Sequence, residues 1–396
     1  LEHDHLGSIP RTNISIKISS LFANTDPIAH ELSIDGLFEA LQPILQEAGK
    51  TGTFINFDME QFEYKDLTLD IFMRCCEEID FPAGLAMQAY LRSGDDDAKR
   101  IIDWSQRSGR SVTVRLVKGA YWDYETIHAE EMGWPIPVWS QKEDTDACFE
   151  RMVSQFIDAT PTEVGQGGVK LALGSHNIRS IATALALLEK RELPIAALEI
   201  QMLRGMADQL KSGVLEEGLR LREYIPVGEM IPGMAYLVRR LLENTSNESW
   251  LRSSFADEAD SAILLASPHT GNIEDDPGIQ RIEDAPERHS LSPAVLGVGD
   301  DRPFFTEPYR DFSDEKQRIK FEDSIAASVV PTVELITTPE EATAVVDVAH
   351  AAFPSWRDED PITRSNILVK AASLMRQRRD ELAGVVMKES GKTWRE

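Results

Sequence analysis

A pair of neighbouring arginines forms the clearest candidate anion-binding arrangement in the sequence. The stretch 234–244 has helical spacing, and it carries a phenol, two guanidinium groups and a carboxylate at positions i, i+3, i+4 and i+7: Tyr236, Arg239, Arg240 and Glu243. Such positions share one helix face, and two guanidinium forks can hold a carboxylate or a phosphate bidentately. The alternative is a solvent-exposed face with one internal ion pair, an arrangement that contributes little energy.

A second candidate is the segment 115–123, which combines cations with flat rings. A strand-like run ends there and is followed by residues that could bind an anion or a flat ring: Arg115, Lys118, Gly119, Tyr121 and Trp122. The cations suit a phosphate or a reduced flavin, the glycine permits close backbone approach, and the rings can stack. The alternative is a strand followed by an aromatic-capped loop, because Tyr and Trp more often pack than stack on cofactors.

Other strand ends carry single polar candidates. His176 follows the run 170–174, although a lone histidine is more often structural than catalytic. Asp58 and Glu60 follow the run 54–57, and residues two apart on a strand share a face. We expect these carboxylates to pair with the arginines or, as a weaker alternative, to bind a metal.

The elements that must position these residues alternate between strand and helix. Short β-branched runs predict strands over 14–19, 54–59, 85–90, 111–117, 170–174, 197–202 and 222–227. Amphipathic segments between them predict helices over 36–47, 67–79, 95–107, 146–157, 178–190 and 205–211. This alternation indicates an α/β protein with a parallel sheet and crossover helices.

The periodicity alone does not separate an open sheet from a closed (βα)8 barrel. A barrel is favoured because polar residues recur at or just beyond the carboxyl ends of many runs: Lys17, Asp58, Gln88, Arg115, Lys118, His176, Gln201 and Tyr224. A barrel gathers all its strand ends around one mouth, whereas an open sheet gathers only those at its switch point. Seven strands are predicted, and we expect the eighth, the first of the barrel, upstream of residue 1.

Composition excludes several classes of protein. The 396 residues include 41 Lys and Arg against 67 Asp and Glu, a formal net charge of −26, which would repel a nucleic acid. The three cysteines, Cys75, Cys76 and Cys148, lack disulfide-framework or zinc spacing, and we expect no metal. No run of about eighteen apolar residues is present in the sequence to predict a membrane span. A cytoplasmic protein fits best.

The last third of the chain has a different pattern. Residues 255–330 are acidic and contain scattered prolines, which is typical of a linker with short ordered pieces. Helical periodicity returns from Thr338, where Pro339 and two glutamates predict a first turn, and continues over 363–389. We therefore divide the chain into a barrel over 1–254, a linker over 255–330 and a third region over 331–396.

Residues 14–252 closely resemble the proline dehydrogenase domain of the bifunctional proline utilization A family. The matching segments are Ser15-Ile-Lys-Ile-Ser19, Asn56-Phe-Asp-Met-Glu60, Met87-Gln-Ala-Tyr90, Arg115 to Asp123, Ser175-His-Asn177 and Tyr224 to Asn244. Residues from 331 onward resemble the first helices of an aldehyde dehydrogenase, in Ala352-Phe-Pro-Ser-Trp356, Arg364 and Glu389-Ser-Gly-Lys-Thr-Trp394.

The resemblance implies a distorted TIM-like (βα)8 barrel that binds FAD and oxidises L-proline to 1-pyrroline-5-carboxylate, a step in proline catabolism to glutamate. Hydride would pass from proline C5 to flavin N5 and the electrons to a membrane quinone. NAD would serve only the aldehyde dehydrogenase domain of a longer parent chain. The family also implies a homo-oligomer with a peripheral contact at the inner membrane face.

Site residues follow from the resemblance position by position. The catalytic residues would be Asp58 and Arg115, with Arg115 near flavin N5. The proline pocket would comprise Lys17, Asp58, Tyr121, Leu203, Tyr224 and Tyr236, with Arg239 and Arg240 clamping the carboxylate. The residues holding FAD would be Gln88, Arg115, Lys118, Gly119, Ala120, Trp122, Ser140, Lys142, Ser175, His176 and Glu243.

Two alternatives remain open at the level of sequence. One is a lyase or aldolase on the same barrel, in which Lys17 or Lys118 forms a Schiff base. The other is a non-catalytic scaffold, in which Arg239 and Arg240 form a structural ion-pair site. Borohydride trapping tests the first, and absence of flavin after gentle purification would support the second.

Overall fold

A computed structural model describes residues 3–229, 231, 233, 234, 236, 238, 265–270, 308–333 and 338–396. The chain divides into two compact units, 1–281 and 282–396. The first unit begins with a two-stranded hairpin formed by β1 (His3–Asp4) and β2 (Gly7–Ser8). A seven-stranded sheet follows.

All neighbouring strands of this sheet pair in parallel, and their spatial order is their chain order. The strands are β3 (Asn13–Ile16), β4 (Phe54–Phe57), β5 (Ala83–Gln88), β6 (Ser111–Val117), β7 (Gly168–Gly174), β8 (Leu198–Leu203) and β9 (Arg220–Tyr224). A doubly wound open sheet reverses its strand order at a switch point, and this sheet does not. The order is that of a (βα)8 barrel.

Helices connect successive strands: α1 (His30–Thr51), α2 (Lys65–Glu78), α3 (Gly94–Ser108), α4 (Trp122–Met132), α5 (Lys142–Asp158), α6 (Ile178–Lys190) and α7 (Asp208–Glu216). Helix α3 shows why the sequence folds this way. Three aspartates occupy its first turn, where the helix dipole favours negative charge, and Gly109 ends it in a left-handed conformation. Ile101 and Trp104 face the core.

The sheet is curled rather than flat. Strands β3 and β9 each lie three strands from β6, which is about 14 Å at the usual spacing of about 4.8 Å. Yet the Arg115 guanidinium on β6 donates to Ser15 on β3 at 2.6 Å and lies 5.1 Å from the Tyr224 ring on β9. One side chain cannot reach both edges of a flat sheet, so the seven strands form a curled half-barrel. This architecture agrees with the TIM-like (βα)8 barrel that the sequence predicted.

The apolar core lies between the outer face of this half-barrel and its helices. Along β6, Val112, Val114 and Leu116 are buried in that layer, whereas the alternate residues point into the barrel. Phe57 and Phe72 meet edge to face at 5.4 Å and are both fully buried. The rigid outer layer therefore fixes the inward side chains that form the site.

Three differences between the predicted and the observed elements go beyond shifted strand or helix ends. Strand β3 ends at Ile16, because the chain turns into a 3-10 helix over Ile18–Ser20. Helix α4 begins at Trp122, directly after the loop 118–121, and extends over residues for which the sequence predicted no element. The last predicted helix of the barrel, 205–211, lies instead at Asp208–Glu216, after an αL residue at Ala207.

The second unit is helical in the part that the structure describes. Its helices are α8 (Glu315–Ala327), α9 (Pro339–Arg357), α10 (Pro361–Gln377) and α11 (Arg379–Ser390). The first turn predicted at Pro339 is present, and the Thr338 and Glu341 side chains form a reciprocal capping box.

Helix α8 lies within the range predicted as linker and packs against α11. The Ser328 hydroxyl donates to the Glu381 carbonyl at 3.1 Å, and a Cβ on Gly384 would lie 2.3 Å from that hydroxyl oxygen. Phe312, Phe321 and Trp394 form a ring cluster with centroids 5.3 to 5.6 Å apart. The predicted linker boundary at residue 330 stays a prediction.

Candidate active site

A cavity of about 360 Å³ opens at the carboxyl ends of the parallel strands. All the strand-end polar residues that favoured a barrel line it: Lys17, Asp58, Gln88, Arg115, Lys118, His176, Gln201 and Tyr224. Strand ends of one barrel converge on a single mouth, which is where enzymes of this architecture place their chemistry. The cavity is therefore the candidate active site.

Arg115 lines the floor of the cavity, and three side chains hold its guanidinium. Its Nε donates to Gln201 Oε1 at 2.7 Å, and its two terminal nitrogens donate to Asp58 Oδ1 and Ser15 Oγ, each at 2.6 Å. Its side chain and that of Asp58 are only 10% and 11% exposed. Among the described residues, these bonds use three of the five guanidinium N–H groups.

Asp58 also anchors a tyrosine. The Tyr224 hydroxyl donates to Asp58 Oδ2 at 3.1 Å, and the Tyr236 ring lies 6.1 Å from that of Tyr224. Burial and the adjacent negative charge of Asp58 raise the pKa of Tyr224, although Arg115 opposes this. The phenol is therefore a hydrogen-bond donor and not a base.

Small residues on β7 allow this arrangement. Arg115 on β6 and Gln201 on β8 are two strands apart, and they register with Ala172 and Gly174 of the intervening strand. A Cβ on Gly174 would lie 2.8 Å from Val117 Cγ1 and 3.6 Å from Arg115 Cγ. The absence of larger side chains at these β7 positions lets the arginine cross over the strand.

A lysine pair shares one carboxylate at the edge of the cavity. Lys118 and Lys142 both form ion pairs with Asp146, the latter at 2.7 Å. Burial would raise the pKa of Asp146, but the two ammonium groups outweigh it and lower that pKa. Burial also lowers the pKa of Lys118, against the pull of Asp146.

Two further groups present hydrogen-bonding capacity at the cavity. Gln88 donates its amide to the Glu60 carbonyl at 3.2 Å, while its buried Oε1 meets no donor among the described residues. A buried acceptor of this kind is unfavourable unless a ligand supplies the donor. His176 Nε2 accepts the Leu203 N–H at 3.1 Å, so the neutral ring carries its proton on Nδ1.

Most of the residues singled out from the sequence line this one cavity. Besides the strand-end residues, the lining includes Gly119, Ala120, Tyr121, Ser175, Leu203 and Tyr236. Trp122, Ser140 and Lys142 are not in the lining; the Trp122 indole donates to the Trp139 carbonyl at 2.7 Å. Arg239, Arg240 and Glu243 lie outside the described residues, and their roles stay predictions.

Sequence reasoning assigned no site role to three residues that hold the site together, although it placed Gln201 at a strand end. Ser15 and Gln201 accept from Arg115, and Asp146 joins two lysines. Glu60 does not pair with an arginine in the described structure, because it accepts from the Ser19 N–H and hydroxyl at 3.1 and 2.6 Å. Within the described ranges, no cluster of His, Cys, Asp or Glu could hold a metal.

The curled parallel sheet with a cation-centred cavity at its carboxyl ends defines a TIM-like barrel enzyme. The family model for proline dehydrogenase matches residues 2–253, and that for the aldehyde dehydrogenase family matches residues 312–396. The chain belongs to the proline dehydrogenase family and continues into the start of an aldehyde dehydrogenase domain. The proline dehydrogenase family is generally flavin-dependent.

Individual relatives match either most of the chain or only part of it. The bifunctional protein PutA of Escherichia coli K12 is 27% identical over 422 residues, which cover 96% of this chain and 31% of that protein. Proline dehydrogenase 1 of Bacillus subtilis 168 is 25% identical over 61% of this chain and 68% of its own.

A solved structure agrees over the whole length. Proline utilization A from Bdellovibrio bacteriovorus, inactivated by N-propargylglycine, superposes with a TM-score of 0.87 at 34% identity, covering 100% of this chain and 42% of that one. The chain thus spans less than half of these bifunctional relatives. No described helix has the length and apolar character needed to cross a membrane. Neither the Schiff-base lyase nor the scaffold alternative is favoured by these similarities.

Proposed function

We propose that this chain oxidises L-proline to 1-pyrroline-5-carboxylate with bound FAD as the electron acceptor. The observation that carries the proposal is the convergence of Asp58, Arg115 and Tyr224 with Lys17, Gln88 and Lys118 on one cavity. These six residues supply cations, one phenol and a buried amide acceptor, and they contain no nucleophilic triad. Hydride transfer needs positioning and electrostatics rather than a protein nucleophile.

The residues present fit FAD. Gln88 Oε1, which meets no donor within the described ranges, matches a cofactor that offers N–H and O–H donors, and Lys118 supplies a cation at the cavity edge. We propose that Gln88, Lys118, Gly119, Ala120, Ser175 and His176 hold it, together with Trp122, Ser140, Lys142 and Glu243. When bound, FAD supplies a two-electron acceptor for the hydride from proline C5.

Arg115 supplies positive charge where electrons arrive. Because Asp58, Ser15 and Gln201 hold the guanidinium, no reorganisation is needed when negative charge develops beside it. Asp58 compensates this charge in the resting site and fixes the Tyr224 hydroxyl as a donor. The pair thereby orders the floor of the cavity before substrate binds.

The substrate side of the site rests on the remaining pocket residues. We propose that Arg239 and Arg240 clamp the proline carboxylate while Tyr121, Leu203 and Tyr236 enclose the ring, with Lys17 at the rim. Lys17, Tyr121, Leu203 and Tyr236 all line the cavity. Apolar and aromatic walls exclude water from the reacting carbon.

The proposed partners follow from this reaction. Electrons pass to a membrane quinone, and this transfer requires a peripheral contact between the protein and the inner face of the membrane. We also propose that the longer parent protein is cytoplasmic and homo-oligomeric. The parent carries the NAD-dependent second activity. Residues 312–396 match only the start of that domain.

The test is turnover of L-proline by the purified protein with a soluble quinone as acceptor. Formation of the cyclic imine together with quinone reduction supports the proposal. D-proline and pyrrolidine are matched controls, since D-proline has the opposite configuration at the carbon that carries the carboxylate and pyrrolidine lacks the carboxylate. Equal turnover of all three compounds, or borohydride trapping of a lysine adduct without turnover, contradicts the proposal.

A further inference from the structure

The inside of the half-barrel beneath the cavity is charged. Barrels of this type usually fill their interior with layers of branched aliphatic side chains. Here β8 and β9 register Glu199 with Arg220 and Gln201 with Arg222, and Leu203 with Tyr224 above them. Glu199 and Gln201 are only 6% and 7% exposed. Such buried polar groups need an explanation beyond core packing.

These residues form one hydrogen-bonded chain that ends at the cavity. Arg115 Nε donates to Gln201 Oε1 at 2.7 Å, and Gln201 Nε2 donates to Glu199 Oε1 at 2.8 Å. Glu199 also accepts from Arg222 Nε at 2.8 Å and from Arg220 Nε at 3.0 Å. The chain therefore runs from two arginines on β9 to the arginine that lines the cavity.

The chemistry of its two ends fixes the direction of the amide between them. A guanidinium only donates and a carboxylate only accepts, so Gln201 must turn its oxygen to Arg115 and its nitrogen to Glu199. Burial would raise the pKa of Glu199, but Arg222, Arg220 and Gln201 lower it, which keeps the carboxylate ionised. A rotated amide would place two donors against each other at Arg115.

We infer that Gln201 and Glu199 are positioning residues for Arg115, which set the orientation of its guanidinium from beneath the site. The inference rests on the proposed function for its kinetic consequence, but not for the orientation itself. Ser15 and Asp58 hold the terminal nitrogens, and Gln201 holds the remaining Nε. Without Gln201 the Nε–H loses its acceptor, and only the two terminal nitrogens are held.

The principal variant is Gln201→Met, which keeps side-chain length and removes both hydrogen bonds. We expect kcat for L-proline to fall by at least about tenfold, the effect of one lost hydrogen bond to a charged group. KM should change by less than about threefold, because the carboxylate clamp is untouched. The reduction potential of bound flavin should become more negative, and the Arg115 Nε–H signal in a ¹⁵N-arginine NMR spectrum should lose protection from solvent exchange.

Two companion variants separate orientation from folding. The double variant Glu199→Gln and Gln201→Glu exchanges the two side chains and keeps the total charge. Position 201 still offers an acceptor to Arg115 Nε–H, so this variant should restore the Nε–H protection and part of kcat. Gln155→Met is the matched control. Gln155 lies on helix α5, outside the barrel interior, and its amide donates to the Asp95 carboxylate at 2.9 Å. It should leave all readouts unchanged. If Gln201→Met does not fold, Gln201→Asn replaces it, since the shorter amide cannot span both partners.

The outcomes are distinguishable. A wild-type protein that proline does not reduce contradicts the proposed function, while its Nε–H protection still tests the positioning. Wild-type potential, kcat and Nε–H protection in Gln201→Met would overturn the inference. Loss of kcat with unchanged potential and protection would also overturn it, because the residue would then act other than through Arg115.

Discussion

The buried ion pair between Asp58 and Arg115 makes a quantitative prediction about stability. The change is Asp58→Asn, which keeps the shape of the side chain and removes its charge. Removing one partner of a buried pair usually costs 3–5 kcal/mol, because the other charge is left uncompensated. Ser15 and Gln201 still hold Arg115, and the amide retains an oxygen, so we expect a loss of about 3 kcal/mol in the free energy of unfolding.

The structure provides a matched control in an ion pair of similar length that is exposed to solvent. Asp35 pairs with Arg74 at 2.7 Å, almost the distance of 2.6 Å in the buried pair, but its side chain is 65% exposed. Exposed pairs contribute about 0–1 kcal/mol, and Arg74 keeps a second partner in Glu78. Asp35→Asn should therefore lower the free energy of unfolding by less than about 1 kcal/mol.

The assay is urea unfolding of the three proteins, supported by thermal melts. A loss of about 3 kcal/mol corresponds to a decrease in Tm of about 6–12 °C for a domain of this size. Flavin content is matched among samples, because a ligand that binds only the folded state raises apparent stability. Equal losses for Asp58→Asn and Asp35→Asn would refute the reasoning that burial makes the difference.

Three further predictions concern the loop beside the cavity, a buried acid and the substrate clamp. Gly119→Ala should destabilise the protein by at least about 1 kcal/mol in thermal melts, since φ is +144° and the added Cβ would lie 2.3 Å from the Tyr90 ring. The control is Gly213→Ala on helix α7, which should be neutral or stabilising because the added Cβ would meet open space. Burial raises the pKa of Glu125 to about 7, so the folded protein loses stability as pH rises from about 4.5 to about 7. Glu125→Gln should therefore gain on the order of 2–3 kcal/mol relative to wild type between about pH 5 and pH 8, and a pH-independent difference would contradict this. Arg240→Met should raise KM for proline about 10–100-fold at unchanged flavin content, and an unchanged KM would remove the clamp assignment.

The sequence was sufficient for the sheet because local signals and tertiary structure agree there. Runs such as 111–117 combine β-branched residues with turn signals, and the polar residues that follow them converge wherever parallel strands close. Helix α4 was missed because Trp122, Tyr124 and Ile127 are exposed and leave no clear apolar stripe. Gly133, which ends that helix in a left-handed conformation, was an available signal.

The contacts around Arg115 could not be predicted in the same way. Its bond to Ser15 joins residues 100 positions apart, and a serine in a strand has no distinctive pattern. The charged interior did leave a signal, since Arg220, Arg222 and Tyr224 alternate along β9 and must share a face. The small residues Ala172 and Gly174 on β7 were a second one.

The central claim is that the cavity holds a flavin which L-proline reduces. The direct measurement is an anaerobic visible absorption spectrum of the purified protein, before and after adding L-proline. We predict a flavin spectrum that bleaches with L-proline and keeps its colour with pyrrolidine. A protein that carries no flavin, or a flavin that stays oxidised in the presence of L-proline, would contradict the account.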